Sequence, residues 1–215
     1  MATNWKVASS AFVPAQDMSG CVDTLLALFV GYLLGSVPFG LILTRLTGGG
    51  DLRTVGSGNI GATNVLRTGK KGVAAATLLL DLGKGLGAVL IARHFWPDNE
   101  AFAALGAVLG HCFPVWLRFK GGKGVATMMG ISLGLAWPIG LAYAVVWLGV
   151  LFASRISSLG GMSAAVAAPV AALLLGYTSY VPVLGLLALL VLFLHRENIG
   201  RLRAGTEPKV GSGKK

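Results

Sequence analysis

The chain has 215 residues, of which 54% are hydrophobic and only 12% are charged. Soluble domains average about 25% charged residues, so this composition excludes an ordinary soluble protein and predicts a single membrane-embedded unit. The formal net charge is +10, but the cations stand beside apolar segments. Anionic lipid headgroups and topology signals explain this charge better than nucleic acid does, so we expect membrane lipid as a partner and no nucleic acid.

The apolar segments predict an all-α integral membrane fold with seven transmembrane helices, some of them short. Residues 1–23 are predicted to be a polar N-terminal extension, residues 24–209 the membrane domain, and residues 210–215 a basic tail. The first apolar segment has twenty residues without a charge, which is enough to cross a bilayer core of ~30 Å. The predicted helices are Thr24–Leu43, Val73–Ala92, Ala101–Leu117, Val125–Trp137, Ile139–Ser154, Met162–Gly176 and Val181–Leu194.

The predicted orientation depends on the stretch Val125–Ser154, which is either one long helix kinked at Pro138 or two short helices. Two helices place the N-terminus outside and the C-terminus in the cytoplasm. Most of the Lys and Arg residues between the spans, and the basic tail, then face the cytoplasm, as the positive-inside rule requires. One long helix would put the basic tail opposite the other cations, so we predict two helices.

Polar stretches rich in glycine and cations interrupt the apolar chain at three places. We call them the first, second and third polar segments: Arg53–Lys71, Phe119–Thr127 and His195–Lys209. In the predicted orientation all of them lie on the cytoplasmic side, so one site can be built from all three. Open backbone amides and fixed cations suit a phosphorylated substrate, and the apolar flanks suit a lipid.

The first polar segment reads GSGNIG at residues 56–61, which matches the pattern of a dinucleotide-binding loop. No strand precedes it, so we reject that interpretation. A simple flexible loop remains an alternative, but it does not explain the polar side chains that cluster there: Arg53, Ser57, Asn59, Asn64 and Arg67. If a helix begins at Gly61, Asn64 and Arg67 share one face, where together with the Ser57 hydroxyl they can bind a phosphate or a carbonyl oxygen.

The second polar segment places glycines around a lysine immediately before an apolar helix: Gly121, Gly122, Lys123 and Gly124. Free amides at the start of a helix lie at the positive end of its dipole, and Lys123 adds a full charge there. The loop is not a Walker A motif, because Gly124 stands where that motif has Ser or Thr. The alternative is a basic turn that serves only membrane orientation.

In the third polar segment, His195 and Asn198 are three residues apart, so a helical continuation of the last span points both side chains the same way. Arg196 and Arg201 either belong to the anion-binding site or only contact lipid headgroups, and the sequence favours neither explanation. Glu207 is expected to tie the tail to an arginine rather than to act as a base.

Two further polar features lie within predicted spans. Asp81 and Lys84 are an i, i+3 pair, and such charges usually face the bundle interior or water. A structural ion pair is the first interpretation and substrate contact the second; His111 is likewise either a packing residue or a substrate contact. The chain has neither a carboxylate cluster suited to Mg²⁺ nor a Cys/His spacing suited to Zn²⁺, so we expect no metal and no cofactor.

At these residues the chain resembles the acyl-phosphate-dependent glycerol-3-phosphate acyltransferase family (PlsY). The resemblance runs in order from about residue 24 to 209 and is carried by GSVPFG (35–40), DLRTVGSGNIGATNVLRTGKKG (51–72), DLGKG (81–85), GHCFPVWLRFKGGKGVAT (110–127) and HRENIGRLRAGTEPK (195–209). It implies a seven-span enzyme of the bacterial inner membrane. The implied reaction moves a fatty acyl group from acyl phosphate to the sn-1 hydroxyl of glycerol 3-phosphate. The products are lysophosphatidic acid and phosphate, in the first acylation step of phospholipid synthesis.

The resemblance also implies roles for individual residues. The implied catalytic residues are Ser57, Arg67, Lys123, His195 and Asn198. Gly121, Gly122 and Gly124 would shape the glycerol 3-phosphate loop, and Glu207 would mainly support structure. The further candidate substrate-binding residues are Arg53, Asn59, Asn64, Lys84 and His111.

Two alternatives remain open at this stage. The base that deprotonates the glycerol hydroxyl is either His195 or the substrate's own phosphate. The competing functional class is a membrane transporter of a phosphorylated solute, which shares helix-end anion sites but predicts cations on both faces and two related halves.

Overall fold

The structure, a computed structural model, describes residues 15–211, and its side chains from Ser19 onward. Within that range the chain is helical and contains no β-strand, so the predicted all-α class is confirmed. The helices are α1 (Ala15–Gly35), α2 (Phe39–Leu46), α3 (Ala62–Leu66), α4 (Lys71–Phe95), α5 (Glu100–Cys112), α6 (Val125–Leu135), α7 (Trp137–Ser154), α8 (Ser157–Leu174), α9 (Val181–Leu194) and α10 (Arg196–Arg203). α1 extends into the predicted N-terminal extension, whose first 14 residues lie outside the described range, as do residues 212–215 of the predicted tail.

Five helical stretches of the described residues are long and apolar enough to cross a membrane: Ser19–Leu46, Lys71–Phe95, Glu100–Leu117, Trp137–Ser154 and Ser157–Leu174. A sixth results if Thr178–Leu194 and α10, which are bent by 59°, count as one span. α6 is apolar but has only 11 residues, a length of about 16 Å at the usual helical rise. The structure therefore supports a multi-span helical protein, while seven spans and the sidedness of the termini stay predictions.

The first predicted span, Thr24–Leu43, is interrupted in the structure. α1 ends at Gly35 and α2 begins at Phe39, with Pro38 directly before it. Proline has no backbone N–H and disfavours helical geometry in the residue before it, so the helix breaks here. The break leaves the carbonyl of Val37 available, and it accepts a hydrogen bond of 2.9 Å from the Lys84 ammonium of α4.

α1 and α5 approach each other through glycines. A Cβ atom added at Gly35 would lie 2.0 Å from the Ala107 carbonyl oxygen, and one at Gly106 would lie 2.1 Å from the Leu28 carbonyl oxygen. Small residues let helix backbones come this close within a membrane. The tight pairing places the end of α5, with His111, beside the break between α1 and α2.

Gly106→Ala is expected to lower the free energy of unfolding by about 1–3 kcal/mol, the usual cost of extra volume in a packed interior. Gly87→Ala is the matched control, because a Cβ atom at Gly87 of α4 meets nothing within 4 Å. Alanine also forms helix better than glycine, so the control should be neutral or slightly stabilising. Thermal unfolding of both variants in the same detergent measures the difference, and equal midpoints would contradict the close approach of α1 and α5.

Candidate active site

A cavity of about 1110 Å³ opens where the three polar segments meet. Nine of the predicted site residues line it: Ser57, Asn59, Asn64, Arg67, His111, Lys123, Gly124, His195 and Asn198. The other four, Arg53, Lys84, Gly121 and Gly122, do not line it. The sequence therefore predicted a composite site, and the structure assembles most of it around one space.

Arg53 is held by its own loop. The Asp51 carboxylate caps the 3₁₀ turn Leu52–Thr54 by accepting from the Arg53 backbone N–H at 3.0 Å, and it also accepts from the Arg53 guanidinium at 2.6 Å. These hydrogen bonds from Arg53 hold the pKa of Asp51 well below its usual range. The exposed pair shapes the start of the first polar segment, outside the cavity.

Asn64 organises the loop rather than presenting a free amide. Its buried Nδ2 donates to the carbonyls of Leu52, Val55 and Asn59 at 2.8–3.1 Å, and its Oδ1 accepts from the Ser57 backbone N–H at 3.2 Å. An amide group has two N–H donors, so these contacts use its donor capacity fully. Asn64 therefore fixes the loop backbone that carries the Ser57 hydroxyl into the cavity.

Arg67 supplies a cation to the cavity. Unlike Arg53, it forms no ion pair with a carboxylate among the described residues, although the guanidinium lines the cavity wall. Its side chain packs against Gly56, whose φ of +55° and crowded Cβ position favour glycine. A guanidinium with a free fork of N–H donors suits a phosphate.

The amides of two glycines in the second polar segment are engaged within the protein. The Gly121 N–H donates to the Cys112 carbonyl and the Gly122 N–H to the His111 carbonyl, both at 3.0 Å. A Cβ atom at Gly122 would lie 2.0 Å from His111 Nε2. These glycines therefore let the loop pack against the end of α5. The sequence predicted that their N–H groups would be free to bind an anion, and this part of the prediction is wrong.

Lys123 and Gly124 reach the cavity at the start of α6. Gly124 takes a left-handed conformation with φ of +83°, and Val125 and Ala126, which open the helix, also line the cavity. Burial lowers the pKa of Lys123, and the nearby Arg201 adds to this effect, while Glu197 and Glu207 oppose it. A half-buried cation at a helix N-terminus is stabilised by an anionic ligand, so this end of the cavity suits phosphate.

The third polar segment forms a hydrogen-bond network with Lys123. The Lys123 ammonium donates to Asn198 Oδ1, and Asn198 Nδ2 donates to Glu207 Oε1 at 2.6 Å. Glu207 also accepts from the Ser158 hydroxyl of α8 and from Arg201 Nε, each at 2.6 Å. The ionised carboxylate only accepts, so it fixes the orientation of the Asn198 amide and directs the amide oxygen toward Lys123.

His195 lies at the junction of α9 and α10 and is buried in the cavity wall. Its Nδ1 lies 2.7 Å from the Val191 carbonyl oxygen. A carbonyl oxygen only accepts, so Nδ1 carries a proton, and Nε2 is the acceptor nitrogen of the neutral ring. This tautomer is the one that can accept a proton at Nε2.

Residues after α10 cover the cavity and include groups that sequence reasoning missed. Pro208, Val210 and Gly211 line the cavity, and the Val210 N–H donates to the Arg155 carbonyl at 2.7 Å. Ser158 of α8 also lines it and holds Glu207. Ser158 stands in no polar segment, so only its position in the folded protein connects it with the site.

Glu207 makes the attachment of this segment dependent on pH. Burial by itself would raise the pKa of Glu207, but the hydrogen bonds from Ser158, Asn198 and Arg201 outweigh it and hold the pKa below the ordinary 4.5. The stability that the carboxylate contributes is therefore fully present above pH 4.5 and is lost as the pH falls through the folded-state pKa.

We expect the difference in thermal midpoint between the wild type and Glu207→Gln to be largest near neutral pH and to narrow below pH 4.5. Thermal unfolding in one detergent across this range measures it. Glu197→Gln, on the exposed face of α10, is the matched control and should differ little from the wild type at every pH. A Glu207→Gln difference that stays constant with pH would contradict the proposed linkage.

Asp81, Lys84 and His111 form a buried cluster beside the cavity. The Lys84 ammonium lies 2.7 Å from Asp81 Oδ1, and His111 Nδ1 lies 3.7 Å from the same oxygen. Asp81 and His111 line the cavity, while Lys84 lies behind Asp81. The predicted ion pair is therefore present, and it adjoins the site. Among the described residues, no group of three or more His, Cys, Asp or Glu is arranged to hold a metal ion.

Comparison with known proteins identifies the family. Residues 25–205 match the family model described as glycerol-3-phosphate acyltransferase. The chain belongs to this family. It is 84% identical over 193 residues to a glycerol-3-phosphate acyltransferase of Novosphingobium aromaticivorans, covering 90% of this chain and 98% of the relative. A relative of the same name from Erythrobacter litoralis is 58% identical over 191 residues, covering 89% of this chain and 97% of the relative.

Two solved structures of the glycerol-3-phosphate acyltransferase family share the fold. A crystal structure of PlsY (YgiH), an integral membrane glycerol 3-phosphate acyltransferase, in its glycerol 3-phosphate form matches with a TM-score of 0.83 and 38% identity, covering 88% of this chain and 96% of that one. The lysophosphatidic acid form of PlsY matches with a TM-score of 0.81 and 36% identity over the same shares. The predicted membership in the PlsY family is confirmed, and so is an integral membrane architecture.

Proposed function

We propose that this chain transfers a fatty acyl group from acyl phosphate to the sn-1 hydroxyl of glycerol 3-phosphate, releasing lysophosphatidic acid and inorganic phosphate. The observation that carries the proposal is the single cavity in which Arg67 and Lys123 face the same space as His195 and Asn198. The names of the relatives support glycerol 3-phosphate as the acceptor. The reaction would be the first acylation step of phospholipid synthesis.

The site chemistry suits an acyl phosphate donor. Acyl phosphate is a mixed anhydride that is already activated, so the reaction needs no covalent enzyme nucleophile. The protein must instead bring two anionic substrates together, and Arg67 and Lys123 offset their repulsion. Lys123 and the residues that open α6 line the cavity, so in the proposed reaction their N–H groups can stabilise the charge that develops on the oxyanion and the departing phosphate. One such donor is typically worth about 3–4 kcal/mol.

The cavity also has an apolar wall that suits a fatty acyl chain. Leu66, Leu78, Val125 and Trp147 line it alongside the polar groups. α7, which contributes Trp147 to this wall, exposes large apolar side chains in the following turns, among them Leu148 and Phe152, which is 78% exposed. Such surfaces match lipid, so the chain of a membrane-borne donor can enter from the bilayer while its phosphate meets the cations.

The base that deprotonates the glycerol hydroxyl is either His195 or a phosphate of the substrates. The Nε2 acceptor of His195 supports the first. The two carboxylates that line the described cavity, Asp81 and Glu207, are each held in an ion pair, which supports the second. His195→Ala and His195→Gln distinguish them: retention of most of kcat would exclude the histidine as the sole base. A loss beyond about 10²-fold, the lower range for general-base catalysis, would favour it.

We further propose a seven-span protein of the bacterial inner membrane, with an outer N-terminus, a cytoplasmic C-terminus and a cytoplasmic active site in the domain of residues 24–209. The one-sided distribution of Lys and Arg supports this orientation. Cysteine labelling tests it. A cysteine introduced at Lys120 in the second polar segment should react with an impermeant reagent only from the cytoplasmic side.

The activity is tested with purified protein in detergent, supplied with acyl phosphate and glycerol 3-phosphate. We expect equal amounts of phosphate and lysophosphatidic acid, and no phosphate release above background without the acceptor. Absence of product with every acyl chain length tried would overturn the proposal. Movement of glycerol 3-phosphate across vesicles without acylation would instead support the transporter alternative.

A further inference from the structure

The two faces of α10 carry different groups. Asn198 and Arg201 face the active site, where both donate to the Glu207 carboxylate at 2.6 Å. Arg196 and Arg203 are separated by two helical turns, so they share one face of the helix. At 3.6 residues per turn, that face lies on the side of α10 opposite Asn198 and Arg201. α10 therefore presents a second pair of cations that does not line the cavity.

Arg196 and Arg203 form no ion pair with a carboxylate among the described residues. Both residues are exposed. The Arg196 guanidinium lies over the Phe193 ring, 4.8 Å from its centroid, and donates a long hydrogen bond of 3.4 Å to the Phe193 carbonyl. Because a guanidinium has five N–H donors, both arginines keep donors for an anionic ligand.

A groove of about 480 Å³ opens between α8, α9 and this face of α10. Its lining residues are Met162, Ser163, Val166, Leu192 and Ile199, and none of them lines the active-site cavity. Ile199 stands between the two arginines on the same face, one helical turn from Arg196 and one from Arg203. The groove therefore begins at the pair of cations.

From the cations the groove runs along the lipid-facing side of the protein. α8 begins at Ser157, and Val166 lies about 14 Å along it at the usual helical rise. α8 is long and apolar enough to cross the membrane, and α10 bends away from α9 by 59°. Val166 and Phe193 are 44% and 61% exposed. The groove thus combines a cationic end near the membrane surface with an apolar end inside the bilayer.

This combination matches an amphiphile with an anionic head. The phosphate of a lipid headgroup can accept from both guanidinium groups, while an acyl chain covers the apolar residues. A free anion would leave the groove empty. A second copy of this chain would bring another formal charge of +10 toward the two arginines, and like charges repel.

We propose that an anionic phospholipid binds to the outer face of α10, with its headgroup phosphate at Arg196 and Arg203 and one acyl chain in the groove between α8 and α9. The site is separate from the active-site cavity, so this lipid is a bound partner and not a substrate. The opposite face of α10 carries Asn198, which accepts from Lys123. The bound lipid therefore stabilises the helix that orients the catalytic cation.

The test compares phosphatidylglycerol with phosphatidylcholine of the same acyl chains, each added to the purified full-length protein in a neutral detergent. A ligand that binds the folded state raises the thermal midpoint. We expect phosphatidylglycerol to raise the midpoint of the wild type more than phosphatidylcholine does. In Arg196→Gln/Arg203→Gln the apparent affinity for phosphatidylglycerol should fall by about 10-fold or more, because hydrogen bonds to a charged group are lost. Equal effects of the two lipids on the wild type would overturn the inference.

Arg118→Gln/Lys120→Gln is the matched control for charge. It removes two cations from exposed residues that line neither the groove nor the cavity. Its affinity for phosphatidylglycerol should stay within about two-fold of the wild type, since such charges act only through screened attraction. An equal loss in the two double variants would mean that the lipid is attracted by the overall charge, and would overturn the site.

Ser163→Trp tests the groove itself, because it fills the space and leaves both arginines in place. Its affinity for phosphatidylglycerol should fall by about 10-fold or more, since each CH₂ group that loses its contact weakens binding. Leu189→Trp is the control, because Leu189 is exposed on α9 and does not line the groove. It should bind the lipid as the wild type does. Wild-type affinity in Ser163→Trp would overturn the assignment of the acyl chain.

Inorganic phosphate separates a lipid from a free anion. It can bind in the active-site cavity, so it should raise the thermal midpoints of the wild type and of Arg196→Gln/Arg203→Gln equally. A phosphate effect that is lost in the double variant would assign the arginines to a free anion. A change of oligomeric state in Ser163→Trp, measured by light scattering in the same detergent, would assign the groove to a second copy. Either result would overturn the lipid site.

Discussion

Replacing Lys123 with alanine is expected to lower kcat/KM for acyl transfer by about 10³-fold, the upper range for removal of one oxyanion-stabilising donor. Lys123 is the cation at the start of α6, it lines the cavity, and Asn198 and Glu207 orient it. Its removal takes away both an attraction for the substrate phosphates and a donor to the charge that develops during transfer. Phosphate release and lysophosphatidic acid formation under saturating donor measure the effect.

Lys120→Ala provides the matched control for Lys123→Ala. Lys120 belongs to the same loop and carries the same charge, but it is exposed and does not line the cavity. We expect its kinetics to stay within a few-fold of the wild type, since a surface charge acts only through screened long-range attraction. Lys123→Arg should recover part of the activity, because the charge returns with a different geometry. Wild-type kinetics for a folded Lys123→Ala would refute the role.

The parts of the site that were predictable from the sequence are those that spacing within one segment determines. His195 and Asn198, three residues apart at the end of a span, do face one cavity. Lys123 precedes an apolar helix and does lie at its start. In each case the local helical geometry is sufficient, because neighbouring turns of a helix determine where the side chains point.

The parts that spacing could not predict depend on contacts with distant segments. From the sequence, the backbone amides of Gly121 and Gly122 were predicted to be free to bind an anion. In the structure α5 ends beside them, and its carbonyls accept both N–H groups. Asn64 was predicted to bind the substrate, yet its amide N–H groups donate to three carbonyls of the preceding loop. Backbone groups away from water find partners wherever the fold supplies them, and a sequence does not reveal which carbonyl will come near.

The first span illustrates the same limit for the fold. Twenty uncharged residues from Thr24 satisfied the length requirement of a transmembrane helix, and the helix nevertheless breaks before Phe39. Pro38 was a visible signal, but its consequence was not. The freed Val37 carbonyl became the acceptor for Lys84, which in turn holds Asp81 at the cavity. Helix breaks inside membrane proteins are tolerated where other groups satisfy the freed backbone.

Arg67→Ala is expected to lower kcat/KM by about 10²-fold, the upper range for loss of a hydrogen bond to a charged group. The guanidinium lines the cavity without a carboxylate partner among the described residues, so a substrate phosphate is the group it can pair with. The loss should appear mainly as a higher KM for a phosphorylated substrate. Arg67→Lys should recover only part of the lost kcat/KM. Lysine restores the positive charge but not the paired N–H donors with which a guanidinium binds two phosphate oxygens.

Arg53→Ala is the matched control for Arg67→Ala, because both arginines belong to the first polar segment and both were predicted from the sequence to be site residues. Asp51 holds the Arg53 guanidinium at 2.6 Å outside the cavity, so Arg53→Ala should change kcat/KM by no more than a few-fold. Equal losses in the two variants would mean that the loop rearranges to bring Arg53 to the substrate. A loss of activity in Arg67→Ala alone would show that Arg67 binds substrate, whereas Arg53, paired with Asp51, serves only the structure of the loop.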